Sequence, residues 1–441
     1  MKKIFTTVLS MLMITFVFGQ WNHSQQKKSF TIKPVNGDFQ QAYSTKQDSK
    51  APLDTIWYDD FSDSLATMTN YTFHDSTGNN FNWAWANTGP DGAYTAPSEI
   101  IHSTTYTNGY MLLNADGFNT VGGPTGTTMV ASPVDMKAWF MTPAIDCSGK
   151  SSVVLRLQHK FRFCCDNDTK IQVLVSNDGT TWTTYDIRND VKSNTASAPD
   201  PMIAEFNITP VAANQSTVFI KVYFGLSSHY FMCADDILLY EAATNDIRLD
   251  KAMPKFFYTN DFPRYYKIPK LTLQCQDANG LLLTAKLHNM GAAIETPAMN
   301  MRLRNLSMNN EIQFEDNVAS LTSGLTTMDP GAIDTIVSES TFYPDYKGNY
   351  RFIYEITGSG TDNTPLNNID SSQTFEVTDT ALTIYKTIVT TKGTAVSGYR
   401  ASDAAFDGDA AAQYIYLPCA DTVNSISFYP IRKTGYLSDY P

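Results

Sequence analysis

The sequence predicts an all-β protein made of two successive β-sandwiches and the start of a further β region. Three observations lead to this prediction. Many short segments alternate apolar and polar residues, turn signals recur between them, and no long segment shows helical periodicity. The composition agrees with them: Lys and Arg are sparse, whereas Thr, Ser, Asn and Tyr are frequent, as is typical of exposed β-sandwiches with many polar turns.

The first 19 residues have the pattern of a cleavable secretory signal peptide. Basic Lys2 and Lys3 precede the apolar segment Ile4–Phe18, which ends at the small residue Gly19. A membrane span needs about 20 apolar residues, so cleavage is favoured over anchoring. We therefore expect export, to the cell surface or to the medium, and leave passage through an outer membrane open.

The net charge of −12 limits the possible partners. Nucleic-acid binding requires a basic footprint, which an acidic chain of this kind does not predict. No later segment is long and apolar enough to span a membrane. We expect an extracellular glycan or protein ligand, and contact with a secretion machinery during export.

Composition shifts divide the chain into six segments. They are the signal peptide (1–19), a polar linker (20–52), a first β domain (53–243), a second linker dotted with Pro and Asp (244–268), a second β domain (269–378) and an incomplete β domain (379–441).

The clearest strand of the first domain is Val153–Phe163. One face of its alternation carries Val153, Leu155, Leu157, His159, Phe161 and Phe163, and the other carries Arg156, Gln158, Lys160 and Arg162. Further on, Asn177-Asp178-Gly179 separates two strand patterns and is a strong hairpin signal.

The second domain contains a series of short strand patterns in about 110 residues, the size of an immunoglobulin-like sandwich. The strands are predicted at Leu271–Cys275, Leu281–Leu287, Met299–Leu303, Asn349–Ile356 and Thr374–Val377. A third series, at Leu382–Thr390, Ala412–Leu417 and Val423–Tyr429, is too short for an independent sandwich and suggests an incomplete domain.

Five blocks of the first domain together resemble the MAM-like jelly rolls of bacterial cell-surface proteins, especially those of type IX secretion substrates. The blocks are Trp57–Phe61, Trp139–Gly149, Leu155–Phe163, Val175–Trp182 and Ala234–Ile237. This resemblance implies a jelly-roll β-sandwich.

The second domain resembles an adhesion-related, CARDB-like immunoglobulin-like domain. The matching residues are Leu287–Gly291, Lys347–Tyr350 and Thr364–Asn368. The two resemblances imply adhesion or ligand binding and supply no catalytic residues. One departure is that type IX substrates end in a sorting domain, and no such pattern is visible before Pro441.

Acidic residues mark the two ends of the first domain. The first and last strands of a jelly roll are neighbours, which would bring Asp59 or Asp60 close to Asp235 or Asp236, with Asp116 joining from a loop. Crowded carboxylates repel one another unless a cation lies among them, and Ca²⁺ is the suitable extracellular cation. The hypothesis is a structural calcium site. The alternative is that these residues face water or cap turns.

Export also permits disulfides. Cys165 follows the inward alternation of its strand and Cys233 precedes the closing strand, so a disulfide between Cys233 and either Cys164 or Cys165 is favoured. The alternative is buried free thiols, which pack as small apolar groups.

Trp83 and Trp85 alternate on one strand and are candidates for ligand contact. Exposed indoles could stack on sugar rings, whereas buried ones would belong to the core, which is the favoured interpretation.

Catalytic motifs are missing: the sequence has no HExxH and no GxSxG. We therefore predict a secreted or cell-surface adhesion or ligand-binding protein without a catalytic site of its own. The alternative is a non-catalytic accessory region of a secreted peptidase or glycosidase, with carbohydrate binding as one possible role.

Overall fold

The computed structural model describes residues 54–164, 168–189, 191–256, 266–275 and 280–382. The predicted signal peptide, the linker 20–52, Cys165 and almost all of the segment 379–441 lie outside these residues. Within them the protein is all-β, as predicted, and the strands form two sandwiches. No helix in these ranges is long and apolar enough to cross a membrane.

The first sandwich encloses one hydrophobic core between two antiparallel sheets. The strands of the larger sheet are β1 (Thr55–Asp59), β3 (Ala84–Ala86), β4 (Tyr110–Asn114), β6 (Val154–Cys164), β9 (Met202–Asn207) and β11 (His229–Tyr240). Those of the smaller sheet are β2 (Thr72–Asp75), β5 (Met136–Met141), β7 (Lys170–Ser176), β8 (Thr183–Asp186) and β10 (Phe219–Ser227). Three short helices connect them: α1 (Ser64–Asn70), α2 (Ala115–Phe118) and α3 (Thr209–Ala212).

The strand orders are β3-β4-β11-β6-β9 in the six-stranded sheet and β2-β5-β10-β7-β8 in the five-stranded sheet. The sixth strand of the larger sheet, β1, pairs with β11. The alternation predicted for Val153–Phe163 is confirmed in β6, whose Leu155, Phe161 and Phe163 point into the core and are fully buried. Gly179 takes a φ of +72° in the hairpin between β7 and β8, a conformation that glycine adopts readily.

The second sandwich has its own hydrophobic core. Its strands are β12 (Ile247–Phe256), β13 (Lys267–Pro269), β14 (Leu281–Asn289), β15 (Ala298–Asn305), β16 (Glu311–Val318), β17 (Ile333–Val337), β18 (Gly348–Thr357), β19 (Ile369–Asp370) and β20 (Thr374–Thr378). The smaller sheet has the order β12-β14-β17 and the larger sheet the order β13-β20-β18-β15-β16, with β19 paired to β18.

Two sequence predictions fail here. The composition places residues 247–256 in the linker 244–268, but they form β12 and pair with β14 from Ile247 opposite Asn289 to Phe256 opposite Leu281. The predicted strand Leu271–Cys275 instead begins with a helical turn, α4 (Lys270–Leu273). In both cases the local pattern is short, and the long-range partner decides the conformation.

One edge of β11 is shared by two shorter strands. Phe231 to Ala234 pair with β4, and Ile237 to Tyr240 pair with β1. Asp235 and Asp236 lie at the gap between these two strands, and Asp236 has a positive φ of 49°. The backbone therefore changes course where two acidic side chains meet.

Residues 99–105 form a strap across the outer face of the six-stranded sheet. Lys160 Nζ donates to the carbonyl of Ile100 at 2.5 Å, and Thr104 exchanges two hydrogen bonds with Gln158. Lys160 and Gln158 are only 9% and 7% exposed. Their face of β6 is therefore covered, although its polar alternation suggests an open surface.

Buried contacts join the two sandwiches. The side-chain amide of Asn207, which is 1% exposed, donates to the carbonyl of Gly291 at 2.7 Å and that of Asn289 at 3.4 Å. Arg248 reaches the backbone carbonyl of Glu205 at 3.2 Å and its carboxylate at 3.4 Å. The junction is built from specific polar contacts.

Candidate functional site

The acidic residues at the ends of the first sandwich lie on neighbouring strands. β1 runs antiparallel to β11, with Asp59 opposite Ile237, so Asp59 and Asp60 lie near Asp235 and Asp236. Besides burial, the negative charges of Asp236 and Asp60 both raise the pKa of Asp235, as expected for carboxylates that lie close together. The strand pairing on which the calcium hypothesis depends is present.

The oxygens of these four carboxylates already accept hydrogen bonds from the protein. The donors are Phe61 N and Tyr71 Oη for Asp59, Ser62 N and Asn108 Nδ2 for Asp60, Ser103 Oγ and Asp236 N for Asp235, and Tyr58 Oη, Thr105 N and Thr105 Oγ1 for Asp236. Protein donors therefore stabilise this group of acids in the absence of a cation.

Asp235 is the most strongly perturbed member of the group. It is fully buried, and burial, with the charges of Asp236 and Asp60 acting in the same direction, raises its pKa to about 8 despite the hydrogen bond from Ser103. A carboxyl group with this pKa is mostly protonated at pH 7. The repulsion among the acids is reduced by a proton on Asp235.

Asp116 does not join these four residues. Asn114, two residues before Asp116, is paired with Phe231 on β11. Asp235 lies four residues after Phe231 on that strand, so their Cα atoms are about 13 Å apart at the usual rise per residue. Asp116 is fully buried and accepts hydrogen bonds through Oδ2 from Tyr94 N and Thr95 Oγ1.

The other carboxylate oxygen of Asp116, Oδ1, has no hydrogen-bond partner within the described part of the chain. A buried, unsatisfied carboxylate oxygen is costly unless a cation or water meets it. Over the same ranges, no three His, Cys, Asp or Glu side chains form a group that could hold a metal ion. Asp116 therefore offers one free oxygen rather than a complete set of ligands.

The two tryptophans singled out from the sequence have different environments. Trp83 is 1% exposed, donates from Nε1 to the carbonyl of Ala138 at 3.2 Å and packs edge-on against Phe140. Trp83 is therefore a core residue and cannot contact a ligand in this fold. Trp85 is half-buried, and its Nε1 donates to the carbonyl of Phe61 at 2.7 Å.

The predicted disulfide of Cys233 is wrong. Cys233 and Cys147 are both free thiols and fully buried. Cys233 packs beneath the strap with Ile101 and Tyr110, where burial raises the pKa of the thiol. Cys164 and Cys275 are disulfide-bonded, and neither is bonded to Cys147 or Cys233.

The outer face of the five-stranded sheet gathers aromatic and basic side chains, and we call it the aromatic–lysine face. It is formed by His74 on β2, Lys137 and Trp139 on β5, Lys221 and Tyr223 on β10, Lys170 and Gln172 on β7, and Trp182 just before β8. All of them keep some solvent exposure. The alternate residues of β10, Ile220, Val222 and Phe224, are fully buried in the core.

Lys221 lies at the centre of this face. Its Nζ is 4.1 Å from the centre of the Trp139 ring and 3.7 Å from that of Trp182. Such cation–π contacts stabilise an ammonium group without a carboxylate. Burial among these rings lowers the pKa of Lys221. His74 stacks on Trp139 with ring centres 5.0 Å apart.

Gly225 shapes the neighbouring row of the sheet. A Cβ atom at Gly225 would lie 2.2 Å from Tyr223 Oη, so the phenol ring occupies the space that a side chain would fill. Gly225 is opposite Lys137 on one side and Lys170 on the other. The Tyr223 ring therefore lies between two lysines.

Sequence reasoning missed this face because its residues come from five separate segments. The usable signal was the alternation in Phe219–Gly225, where Phe219, Lys221 and Tyr223 share one side, and that in Lys137–Met141. Only the strand order brings these segments side by side.

No protein-family model and no curated protein matches the chain. Several solved structures do. The K1 cleaved adhesin domain of Lys-gingipain from Porphyromonas gingivalis W83 is 12% identical, with 42% of this chain and 97% of that chain covered and a TM-score of 0.27. TmCBM61 in complex with β-1,4-galactotriose is 9% identical, with 40% and 93% covered and a TM-score of 0.25.

A GH2 β-galacturonidase from Eisenbergiella tayi is 10% identical, with 52% of this chain and 34% of that chain covered and a TM-score of 0.23. The structures similar to this chain thus include an adhesin domain, a carbohydrate-binding module and a glycosidase. At these identities and TM-scores, the similarities carry no information on function.

Proposed function

We propose that this protein is a secreted or cell-surface adhesion and ligand-binding protein without a catalytic site of its own. The first sandwich would hold the ligand and the second would act as a spacer. The observation that carries this proposal is the aromatic–lysine face, where Trp139, Trp182 and Tyr223 retain solvent exposure around Lys221.

Indole and phenol rings grouped on a sheet are typical of recognition surfaces. They supply a large contact area at a small cost in side-chain entropy, and their polar atoms can still form hydrogen bonds. The face is one side of a five-stranded antiparallel sheet, which suits an extended glycan or the surface of another protein.

The environments of three histidines, His102, His159 and His288, support a non-catalytic role. His159 is fully buried against the carbonyl of Ile187, and burial lowers its pKa to about 4. His288 is 1% exposed and lies beside Asp250 and Arg248 at the junction. His102 is exposed and pairs with Asp200, which also binds Lys160. His102 belongs to the strap (residues 99–105), and its contact with Asp200 holds the strap in place.

The proposal includes the cellular setting expected from the sequence. The predicted signal peptide would deliver the chain across the inner membrane, and the MAM-like and CARDB-like resemblances favour a surface location with type IX secretion as the route. A non-catalytic accessory region of a secreted hydrolase would use the same face in the same way, with the catalytic domain supplied elsewhere.

The proposal also includes a structural Ca²⁺, placed at Asp116. The unsatisfied Oδ1 of this fully buried carboxylate supplies one hard oxygen ligand. Calcium takes six to eight oxygens, so backbone carbonyls and water would provide the others. The ion would have no part in catalysis.

Binding measurements with the purified full chain test the proposed function. The chain is screened on a glycan array and on immobilised extracellular-matrix proteins, beside the double variant Trp139→Ala/Trp182→Ala. We expect binding to at least one ligand and a loss of about tenfold or more in the variant, as for central aromatic contacts. Tyr343→Ala is the matched control, since Tyr343 is a 43% exposed aromatic of the second sandwich.

Two results would overturn the proposal: no binding on either surface, or binding that the double variant retains in full. Turnover of chromogenic glycoside or peptide substrates by the wild-type chain would contradict the absence of a catalytic site.

A further inference from the structure

The charges on the aromatic–lysine face differ from those of the whole protein. The chain has 44 acidic and 32 basic residues. On the outward side of the five-stranded sheet, however, there are three lysines, Lys137, Lys170 and Lys221, and one acidic residue, Asp186. A locally positive surface on an acidic protein requires a reason beyond solubility.

None of these three lysines forms an ion pair with a carboxylate of the described residues. Elsewhere lysines do form such pairs: Lys150 with Glu241 at 2.9 Å and Lys267 with Glu376 at 2.6 Å. Lys221 instead has the two indole rings as its neighbours. Within the described ranges, the face thus offers cationic groups that no carboxylate occupies.

The sheet fixes the spacing of these cations. Lys137 and Lys170 are both opposite Gly225, on the strands either side of β10. Adjacent strands are about 4.8 Å apart, so the two Cα atoms are about 10 Å apart, with the Tyr223 ring between them. On the central strand, β10, Lys221 lies two residues before Tyr223 and on the same side of the sheet. Charges and rings alternate across a surface that a chain-like ligand could follow.

We propose that the aromatic–lysine face binds an acidic saccharide, a glycan chain whose sugar rings pack on Trp182 and Tyr223, beside the Trp139 ring that His74 and Lys221 already contact, and whose anionic groups meet Lys137, Lys170 and Lys221. This inference rests on the proposed function and names its ligand class. The C–H face of a sugar ring is apolar and complements the negative face of an aromatic ring. Carboxylate or sulfate groups on the sugars complement the unpaired ammonium groups.

A saccharide fits better than a nucleic acid. The stacking rings and lysines would also suit single-stranded nucleic acid. However, the outward face carries no arginine, and the whole chain has a net charge of −12, which opposes the approach of a polyphosphate. The side chains of Gln172, Thr184 and Tyr223 add hydrogen-bonding groups suited to hydroxyls.

The test compares polygalacturonate with its fully methyl-esterified form, which has the same sugar backbone but no carboxylate charge. Chondroitin sulfate tests sulfate as the anion, and oligo(dT) tests nucleic acid. Dissociation constants are measured with the full chain in 50 and 150 mM NaCl. We expect at least one of the anionic glycans to bind, and we expect the higher salt concentration to weaken this binding. Where polygalacturonate is the ligand, its methyl-esterified form should bind about tenfold or more weakly.

The variant for the charges is Lys137→Gln/Lys170→Gln, because both side chains are exposed and their loss leaves the core intact. We expect a loss of about tenfold or more in affinity and a smaller effect of salt. Lys286→Gln, at an exposed lysine of the second sandwich, should bind like the wild type. Gly225→Ala tests the position of Tyr223, since the added methyl group must displace the ring.

The outcomes separate this inference from the proposed function. Equal binding of the esterified polymer, or an unchanged double lysine variant, overturns the acidic ligand while the proposed function stands. Binding of oligo(dT) as tight as that of the best glycan also overturns it. Failure to bind any glycan or matrix protein removes both proposals.

Discussion

Ser103 donates a hydrogen bond of 2.5 Å to the buried carboxyl group of Asp235. This contact fastens the strap (residues 99–105) to β11 at the gap between β4 and β1. It also holds an acid whose pKa is raised to about 8, mainly by burial. The strap therefore depends on a titratable group.

The first prediction concerns pH. Between about pH 4 and pH 8 the folded chain keeps a proton on Asp235 that the unfolded chain has released. The folded state binds more protons, so the free energy of unfolding should fall as the pH rises through this window. The total effect is on the order of a few kcal/mol. Urea unfolding at a series of pH values measures it.

Asp235→Asn should remove most of this slope, because the amide stays neutral and can still accept from Ser103. Asp329→Asn, at an exposed acid of the second sandwich, is the control and should leave the slope unchanged. A slope that persists in the Asp235 variant would show that another group is responsible.

The second prediction concerns calcium. Adding CaCl₂ to the metal-free chain should raise its thermal midpoint, because a ligand that binds only the folded state stabilises it. Asp116→Asn should abolish this shift if Asp116 supplies the ligand oxygen. A shift that survives in this variant but is lost in Asp235→Asn would place the ion at the other acidic group.

The third prediction separates core from surface tryptophans. Trp83→Ala removes a fully packed indole and should cost about 3–5 kcal/mol of unfolding free energy. Trp139→Ala removes a half-exposed indole and should cost about 1 kcal/mol or less. Denaturant midpoints of the two variants provide the measurement, and equal losses would contradict the assigned positions.

The fourth prediction concerns the thiols. Cys147 and Cys233 are fully buried, and burial raises the pKa of Cys147 to about 11. Because the thiolate is the reactive form, iodoacetamide at pH 8 should modify neither residue in the native chain. Both should react after unfolding without a reductant, as read by peptide mass mapping. A disulfide-linked peptide containing Cys233 would refute its assignment as a free thiol.

The fifth prediction concerns the junction. Asn207→Ala deletes the amide that donates to Gly291 and Asn289, leaving buried carbonyls without that donor. The expected cost is about 1–3 kcal/mol in urea unfolding. Asn177→Ala, at an exposed asparagine that also donates to a backbone carbonyl, should cost about 0.5 kcal/mol or less. Equal effects would mean that the hydrogen bonds of Asn207 add no more stability than those of an exposed asparagine.

Much of the first sandwich was predictable because its strands are long and regular. The alternation in Val153–Phe163 identified the core side of β6 correctly. It could not show that Lys160 and Gln158 lie beneath the strap, because alternation identifies the two faces of a strand but not what covers them. β12 was missed since Pro254 and its charged residues resemble a linker until β14 pairs with them.

The sites were harder to predict. Pairing of the first and last strands followed from the expected jelly roll, so the proximity of Asp60 to Asp235 could be anticipated. The proton on Asp235 could not, because it depends on burial by residues more than a hundred positions away in the sequence. The position of Cys233 beside the closing strand suggested a disulfide, but a strand pattern cannot distinguish a bonded cysteine from one that packs as an apolar side chain, as Cys233 does beneath the strap.

The strap has a consequence for how a larger assembly could use this module. It covers the part of the six-stranded sheet around Gln158 and Lys160 with hydrogen-bonded polar residues and leaves the opposite sheet uncovered. The two outer faces of the first sandwich therefore differ: one is partly covered by the strap and the other is not. A ligand can therefore reach the aromatic residues of the first sandwich from the side of the five-stranded sheet, which the strap leaves uncovered.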